Sequence, residues 1–212
     1  MLKRDGVEQG LCDMLAHITE HFADSIDAKI NAADKLPPSV AQAAGLLVHC
    51  LVHEGKVLVC GNGGSAAAAQ YFSSVLLDRF EQDRPGLPAL ALNADASTLT
   101  SIATSSGYQD IFSRQVRALG QPGDVLLLIC TQEQEPCLVP SIQAAHDREM
   151  SVITLTGKDG GHCSSLLHNE DVAIRVPESR SIRIREVHLL ILHCLHDLID
   201  AHLFANGSRS ES

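Results

Sequence analysis

Hydrophobic and polar positions follow one pattern in the first quarter of the chain and another pattern after it. The first quarter carries apolar residues every three or four positions, which is typical of one face of an α-helix. Over about residues 8–33 these positions are Leu11, Leu15, Ile18, Phe22, Ile26 and Ile30. Pro37 and Pro38 break this helix, and a second helix is predicted over 39–54. Residues 1–55 are thus predicted to be a helical extension, and the long first helix is expected to pack against another subunit.

From Lys56 onward, short apolar runs alternate with helical patterns. The predicted strands are 57–60, 89–92, 125–130, 152–156 and 172–176. The predicted helices of this part are 66–78, 97–104, 110–119, 138–149, 162–167 and 183–203. Apolar strands separated by helices indicate an α/β fold, with a parallel sheet covered by helices on both faces. We predict that residues 56–205 form this domain and that 206–212 are a polar tail.

A glycine-rich turn, Cys60-Gly-Asn-Gly-Gly-Ser65, lies between the first predicted strand and the helix after it. Glycine permits positive φ and close backbone approach, and Ser65 is the predicted N-cap of the helix. Such a turn directs free N–H groups and the positive end of a helix at one point, which suits a phosphate. The alternative is a strand-to-helix turn that requires glycine and binds nothing. A dinucleotide site is disfavoured, because the next strand ends in Leu92-Asn93 and not in the acidic residue that binds a ribose.

In a parallel sheet of this kind, ligands bind beyond the carboxyl ends of the strands. The segments predicted to meet there are 61–65, 93–98, 131–136 and 157–161. The candidate contacts for a phosphate or a sugar are Asn62, Gly63, Gly64, Ser65, Asp95 and Thr131. The third segment also carries Glu133 and Glu135, whose carboxylates would repel a phosphate at close range.

Candidates for acid–base chemistry lie on the last predicted helix. A sugar isomerase needs a carboxylate and a histidine near the substrate carbonyl, and Glu186 and His188 stand close together in the first turns of this helix. Structural roles for both are the alternative. The histidine pairs at helical spacing elsewhere lack a clear third ligand, so no metal site is expected. Leu203 and Phe204, beside the polar tail, either pack back on the core or form a partner contact.

Composition narrows the partners and the compartment. A formal net charge of -10 disfavours a general binder of nucleic-acid backbones, and 3% aromatic residues leave little for base stacking. Seven scattered cysteines predict reduced thiols in a cytoplasmic protein. We expect neither a signal peptide nor a membrane span, and no cofactor.

Six further motifs accompany the glycine turn. They are Arg79-Phe-Glu, Pro88-Ala-x-Ala-Leu-Asn93, Phe112-Ser-Arg-Gln-Val116, Gly123-Asp-Val-Leu-Leu127, Ile153-Thr-Leu-Thr-Gly-Lys-Asp-Gly-Gly161 and Arg183-Ile-x-Glu-x-His188. Together they resemble the sugar isomerase (SIS) domain family, in its phosphoheptose isomerase branch, over nearly the whole chain. The resemblance implies a three-layer, flavodoxin-like parallel sheet of five strands with a long N-terminal helix, in a homotetramer with sites between subunits. It also implies the conversion of sedoheptulose 7-phosphate to D-glycero-D-manno-heptose 7-phosphate.

The catalytic positions implied by the resemblance are altered. The enzymes of this branch place a His and a Glu on the helix after the glycine turn, and a Gln and a His on the last helix, to bind zinc and transfer protons. The matching positions here are Tyr71, Val75, Arg185 and His193. Since only the last histidine is retained, the resemblance implies neither catalytic residues nor a metal.

The expectation is therefore a scaffold. The chain resembles non-enzymatic members of the family that bind the bacterial replication initiator DnaA and promote its assembly at the origin, with Leu203 and Phe204 as candidate contacts. One alternative is an active phosphoheptose isomerase in which His193 works with Glu186. The other is a sensor that binds a sugar phosphate through the glycine turn alone.

Overall fold

The structure, a computed structural model, describes residues 2–131, 135–157 and 160–204. Within these ranges the α-helices are α1 (Leu2–Ala33), α2 (Pro37–Val52), α3 (Gly64–Leu77), α4 (Ala96–Ser105), α5 (Ser113–Leu119), α6 (Leu138–His146) and α7 (Ser181–Phe204). The strands are β1 (Val57–Gly61), β2 (Ala89–Ala91), β3 (Val125–Ile129), β4 (Ser151–Thr156) and β5 (Val172–Arg175). Two short 3₁₀ helices cover Tyr108–Asp110 and Gly161–Leu166. The tail at 206–212 lies outside the described residues.

The five strands form one parallel sheet in the order β2-β1-β3-β4-β5. Every residue of β1 and β3 is buried, as expected for central strands with helices on both faces. The prediction of a three-layer, flavodoxin-like α/β fold with a five-stranded parallel sheet and a long N-terminal helix is confirmed. The carboxyl ends of β1 and β3 lie side by side at the middle of the sheet, which is where the chain order reverses.

Alternate residues of the strands serve two separate cores. Val57 and Leu127 point to the first core, which packs against α1, α2, α3 and α7. Leu58 and Leu126 point to the second core, which packs against α4, α5 and α6. Among the described helices, α7 alone is long and apolar enough to cross a membrane. Helices in the core of a soluble protein can be equally long and apolar. Here Leu192 and Leu195 of α7 are fully buried in the first core.

Most helix boundaries differ from the prediction by one to six residues, and three of the differences have a local reason. Helix α2 ends at Val52, and the positive φ near its end belongs to Glu54, at 61°. The neighbouring Gly55 is needed for space instead, because a Cβ there would lie 2.8 Å from the Cys50 Sγ. Helix α6 stops at His146, since Glu149 has a φ of 57°. The helix predicted from residue 110 starts at Ser113, after a 3₁₀ turn.

Candidate functional site

The glycine turn leaves the sheet at its centre and leads directly into α3. Gly61 is the last residue of β1, and a Cβ on it would lie 2.7 Å from the Ile129 carbonyl oxygen and 2.8 Å from the Ser65 Cβ. Gly63 is the residue before the helix and has a φ of 54°, which favours glycine. The prediction that Ser65 caps α3 is wrong. Ser65 is the second residue of the helix and is buried, and its N–H donates to the Asn62 carbonyl oxygen at 2.9 Å.

Asn62 connects this turn to two other loops at the same edge of the sheet. Its Nδ2 donates to Glu135 Oε2 at 2.6 Å and contacts the Cys137 Sγ at 2.9 Å, while the Tyr108 hydroxyl donates to its Oδ1 at 3.0 Å. The other oxygen of Glu135 accepts from the Cys130 thiol at 3.4 Å. The structure thus places a carboxylate of the acidic loop against the turn, where an anionic ligand was expected. Glu133 lies outside the described residues.

Burial controls the thiols around this contact. It raises the pKa of Cys137, and it raises the pKa of Cys163 to about 11, with the charge of Glu135 adding to the effect in both cases. Cys60, at the end of β1, is buried completely and its pKa is raised for the same reason. At neutral pH these thiols therefore remain protonated, so they are poor nucleophiles and serve as small packing groups.

Two cavities open on opposite sides of the first turn of α3. One, of about 390 Å³, is lined by Asn62, Gly63, Asn93 and Tyr108 among other residues. Asn93 donates to the Ala66 carbonyl oxygen at 3.0 Å, and its buried Oδ1 has no partner among the described residues. An unpartnered buried amide oxygen has given up its hydration, so a ligand hydroxyl bound there would satisfy it.

The second cavity lies between α3 and α7 and has a volume of about 270 Å³. It is lined by Gly64, Ser65, Tyr71, Arg185 and His188 with neighbouring apolar residues. The Arg185 side chain lies over Gly64, since a Cβ on that glycine would be 2.9 Å from the Arg185 Nε. Arg185 is exposed, and no hydrogen bond or ion pair involves it in the described part of the chain. Its positive charge stands beside the positive end of α3, an arrangement that favours an anion.

His188 is a neutral base in the wall of this cavity. The side chain is 1% exposed, and its Nε2 lies 3.2 Å from the Thr156 carbonyl oxygen. A carbonyl oxygen only accepts, so Nε2 carries the proton and Nδ1 keeps a lone pair, which has no partner among the described residues. Burial lowers the pKa of His188 to about 4, and the nearby charge of Arg185 adds to this, while the hydrogen bond to Thr156 opposes it. The imidazole is therefore uncharged at neutral pH.

The two remaining predicted ligand contacts are Asp95 and Thr131, and they differ in their surroundings. Asp95 is the N-cap of α4, where its carboxylate accepts from the backbone N–H groups of Ser97 and Thr98 at 2.9 and 3.2 Å. A hydrogen bond from the Thr98 hydroxyl to this carboxylate lowers the pKa of Asp95. Thr131 follows β3 and is 9% exposed, at the edge of the same loop region. Thus Asn62 and the glycines of the turn line cavities, whereas Asp95 has a capping role.

The candidates on α7 are separated by the structure. The carboxylate of Glu186 accepts from Arg183 at 2.5 Å and lies 3.9 Å from the Lys29 ammonium, so it faces α1. His193 is two turns further along α7, and its ring packs against Tyr71 with centroids 5.7 Å apart. These contacts direct Glu186 to a helix-helix contact and leave His188 as the histidine of α7 that lines the second cavity.

Leu203 and Phe204 pack back toward the body of the molecule. Leu203 is partly buried against the first core, and the Arg84 guanidinium carbon lies 5.9 Å from the centre of the Phe204 ring. Arg84 in turn donates to the Asp200 carboxylate at 2.7 Å and to the carbonyl oxygens that end α3. The structure therefore shows how both side chains pack, and their role as a partner contact stays a prediction.

Comparison with known proteins decides the family. Residues 21–157 match the model of the SIS domain. The chain is 57% identical to a phosphoheptose isomerase of Chromohalobacter salexigens over 194 residues, covering 92% of this chain and 98% of the relative. It is 56% identical to that of Alkalilimnicola ehrlichii, over 90% of this chain and 97% of the relative. The solved phosphoheptose isomerase of Neisseria gonorrhoeae superposes with a TM-score of 0.84 at 43% identity, over 89% of this chain and 99% of that one.

This chain belongs to the SIS domain family. Its relatives named above also support the phosphoheptose isomerase branch. They contradict the expectation of a non-catalytic scaffold that binds DnaA, because proteins identical at more than half of the aligned positions over nine tenths of this chain are named as isomerases. That expectation had rested on the altered side chains at Tyr71, Val75 and Arg185.

The zinc ligand set implied by the family resemblance does not fit this SIS domain. Val75 has no ligand atom, and the guanidinium of Arg185 carries a positive charge and no lone pair. Arg185 and His193 also have different surroundings, the first over Gly64 and the second against Tyr71. A guanidinium over the glycine turn would repel a divalent cation. Any chemistry at this site must therefore use the groups that are present.

Sequence reasoning missed one buried histidine of the SIS domain. His196 of α7 is fully buried and stacks on Phe72 with ring centroids 4.5 Å apart. Neither of its ring nitrogens has a partner in the described residues. Burial lowers the pKa of His196 to about 3, with the charges of Arg84 and His193 adding to this. Its spacing from Leu192 and Ile199 does place it on the apolar face of the helix, a signal that its polar identity obscured.

Proposed function

We propose that this protein is a phosphoheptose isomerase that interconverts sedoheptulose 7-phosphate and D-glycero-D-manno-heptose 7-phosphate without a bound metal. The names of its relatives support the reaction class. The observation that carries the proposal is the cavity between α3 and α7, whose wall includes Arg185 and His188 beside the positive end of a helix. The buried Nδ1 of His188 has no partner among the described residues.

The reaction requires a base and a group that stabilises negative charge. A ketose becomes an aldose when a proton leaves C1 and a proton is added at C2, with an enediolate between the two steps. In our proposal the lone pair on His188 Nδ1 takes the C1 proton and returns it to C2, while a proton passes between the two substrate oxygens. The Arg185 guanidinium stabilises the enediolate oxygen, and it can do so without a metal because its charge is permanent.

We assign the substrate phosphate to the glycine turn, which precedes α3 and borders the first cavity. Asn62 and Gly63 line the first cavity, and Gly64 lines the second. The Ser65 and Ala66 N–H groups donate to the carbonyl oxygens of Asn62 and Gly63, so the attraction for a phosphate here comes from the positive end of the α3 dipole. Gly63 and Gly64 are consecutive residues and line different cavities, so we assign a single sugar phosphate to both.

The test is an isomerase assay with sedoheptulose 7-phosphate on protein treated with a chelator and on protein supplied with zinc. Equal turnover in both supports the proposal. We expect His188→Asn to reduce kcat by about 10²-fold or more and Arg185→Gln by about 10²-fold. Arg79→Gln is the matched control, since Arg79 is exposed and pairs with Asp83 at 3.6 Å. No turnover by the wild type, or turnover that needs zinc, contradicts the proposal.

We also propose that the protein works as a homo-oligomer, in agreement with the homotetramer that the resemblance implies. The small residues Ala28 and Ala32 of α1 are buried. Large apolar side chains on the same helix are between 52% and 69% exposed; they are Leu11, Met14, Leu15, Ile18, Phe22, Ile26 and Ile30. An apolar stripe of this length matches the α1 stripe of a second copy. Light scattering after gel filtration should show a tetramer, and a monomeric mass for Phe22→Asp.

The cytoplasm is the proposed compartment. All seven cysteines are reduced thiols, and five of them are buried. Reduced thiols are typical of a reducing compartment. Cell fractionation should recover the protein with the cytoplasmic fraction.

A further inference from the structure

A second group of metal-ligating side chains lies at the amino-terminal edge of the sheet. His146 is the last residue of α6, while His168 and Asp171 belong to the turn that leads into β5. Potential ligand atoms of the three residues all lie within 4.8 Å of one another. Because parallel strands begin at the opposite edge from where they end, this trio is remote from the glycine turn.

The turn before β5 holds the carboxylate in place. The Asp171 side chain is 2% exposed; its Oδ1 accepts from the Val152 N–H at 2.7 Å, and its Oδ2 accepts from the His168 N–H at 2.8 Å. The Asp171 N–H donates back to the His168 carbonyl oxygen at 3.1 Å, which closes the turn. Backbone hydrogen bonds of this kind fix the orientation of a ligating carboxylate before any metal binds.

The two imidazoles face each other over this carboxylate. The His146 Nε2 lies 2.8 Å from Asp171 Oδ2, and its ring stacks on His168 with centroids 3.7 Å apart and an angle of 14° between the planes. Stacked rings cannot both direct a lone pair at one ion, so one ring must rotate. His168 is exposed, and its ring nitrogens have no hydrogen bond within the described part, which leaves its ring free to turn.

Charge at this edge favours a cation. His146 is the last residue of α6, so it lies at the negative end of the helix dipole. The nearby Arg148 points elsewhere, since its Nε donates to the Gly120 carbonyl oxygen at 2.8 Å. The trio therefore has one carboxylate, two imidazoles and the negative end of a helix, without a cationic side chain directed into it among the described residues.

We propose that His146, His168 and Asp171 form a binding site for a divalent transition metal, of which Zn²⁺ is the best match. Two imidazoles and one carboxylate are a common donor set for Zn²⁺, and water completes the tetrahedron. The bound ion links the end of α6 to the start of β5. This site is independent of the proposed isomerase chemistry.

The test uses the full chain without an affinity tag, freed of metal by a chelator. Titration with Zn²⁺, followed by calorimetry, should show one ion per chain bound at this site. Titration with Co²⁺ should give the visible absorption bands of a tetrahedral site with nitrogen and oxygen ligands. Both histidines are metal ligands in this proposal. His168→Asn should therefore weaken the affinity for Zn²⁺ by at least roughly tenfold and abolish the Co²⁺ bands. Zn²⁺ should also raise the Tm of the wild type but not of the variant.

His53→Asn is the matched control, because the exposed His49–His53 pair could bind metal weakly and is separate from the trio. It should leave the affinity and the Co²⁺ bands unchanged. Asp171→Asn keeps an oxygen that can accept from the backbone N–H groups but removes the charge, so it should weaken metal binding while the apo protein stays folded. Wild-type protein that binds no Zn²⁺, or binding and Co²⁺ bands that survive His168→Asn, overturns the proposal.

Discussion

The two edges of the central sheet differ in whether their buried polar groups are hydrogen-bonded. At the amino-terminal edge, Asp124 accepts from the backbone N–H groups of Lys56 and Gln121, at 2.9 and 2.8 Å, and from the Lys56 ammonium at 2.6 Å. Asp171 is bound as fully by its own turn. At the carboxyl-terminal edge, Asn93 Oδ1 and His188 Nδ1 are buried without partners in the described residues.

This difference indicates that the amino-terminal edge of the sheet serves stability and the carboxyl-terminal edge serves ligand binding. Satisfied carboxylates fix the loops at which the strands begin, so these loops hold the register of the sheet. Groups left unsatisfied at the other edge reduce stability in the absence of ligand, because each has lost water without gaining a hydrogen bond. They are the groups that a polar ligand can satisfy.

The largest expected effect is at the amino-terminal edge. Asp124→Ala removes a carboxylate that is 2% exposed and leaves two backbone N–H groups and the Lys56 ammonium without their acceptor. We expect the free energy of unfolding to fall by about 3 kcal/mol, measured by urea denaturation. Asp147→Ala is the control, since that exposed carboxylate lies 3.8 Å from Arg117 and its loss should cost about 0.5 kcal/mol or less. Equal losses for the two variants would contradict the contrast between the edges.

The next effect concerns the glycine turn. In Gly61→Ala the new Cβ would meet the Ile129 carbonyl oxygen at 2.7 Å and the Ser65 Cβ at 2.8 Å, so the backbone of β1 or α3 must shift. We expect a loss of about 2 kcal/mol in the free energy of unfolding. Gly63→Ala, in open space but at a φ of 54°, should lose about 1 kcal/mol. If Gly63→Ala proves the more harmful to stability, space is not what Gly61 provides.

Acid stability should depend on the buried histidines. The unfolded state takes up a proton at His196 below about pH 6.5, whereas the folded state does so only near its pKa of about 3. Because of His196, the free energy of unfolding therefore falls as the pH falls from about 6.5 to about 3, by up to about 1.4 kcal/mol per pH unit. His196→Leu should reduce that slope, measured by urea denaturation between pH 4 and pH 7 (about the window of the shift).

His53→Leu is the control for this measurement, because that histidine is exposed. It should leave the slope as in the wild type. A wild-type slope in His196→Leu would show that His196 gains solvent or a partner in solution.

The smallest effect tests the carboxylate against the turn. Glu135→Gln keeps a side-chain oxygen for Asn62 but removes the negative charge that lies 2.6 Å from the Asn62 Nδ2. We expect inorganic phosphate to bind about five times more tightly, which corresponds to about 1 kcal/mol of relieved repulsion. Calorimetric titration measures this, with Glu149→Gln at the other edge as the control. Unchanged phosphate affinity in Glu135→Gln would place the anion away from Asn62.

Local patterns in the sequence were enough for the architecture. Five apolar runs separated by helical patterns predicted the parallel sheet, because burial on both faces removes the alternation of an exposed strand. The glycine turn was recognised because glycine suits both the positive φ of Gly63 and the close contacts, below 3 Å, around Gly61. The error at Ser65 is one of register: a serine near a helix start is a common cap, and only the dihedral angles show that Gly63 holds that position.

Only the tertiary structure decided which distant side chains meet. His146 and Asp171 are 25 positions apart and are joined because α6 ends where β5 begins. Glu135 reaches Asn62 across 73 positions because β1 and β3 are neighbours in the sheet. Arg185 comes to lie over Gly64 because α7 packs beside α3. Periodicity along a chain encodes which face of each element is buried, but the contacts between polar groups depend on loop paths and packing angles, which no local pattern specifies.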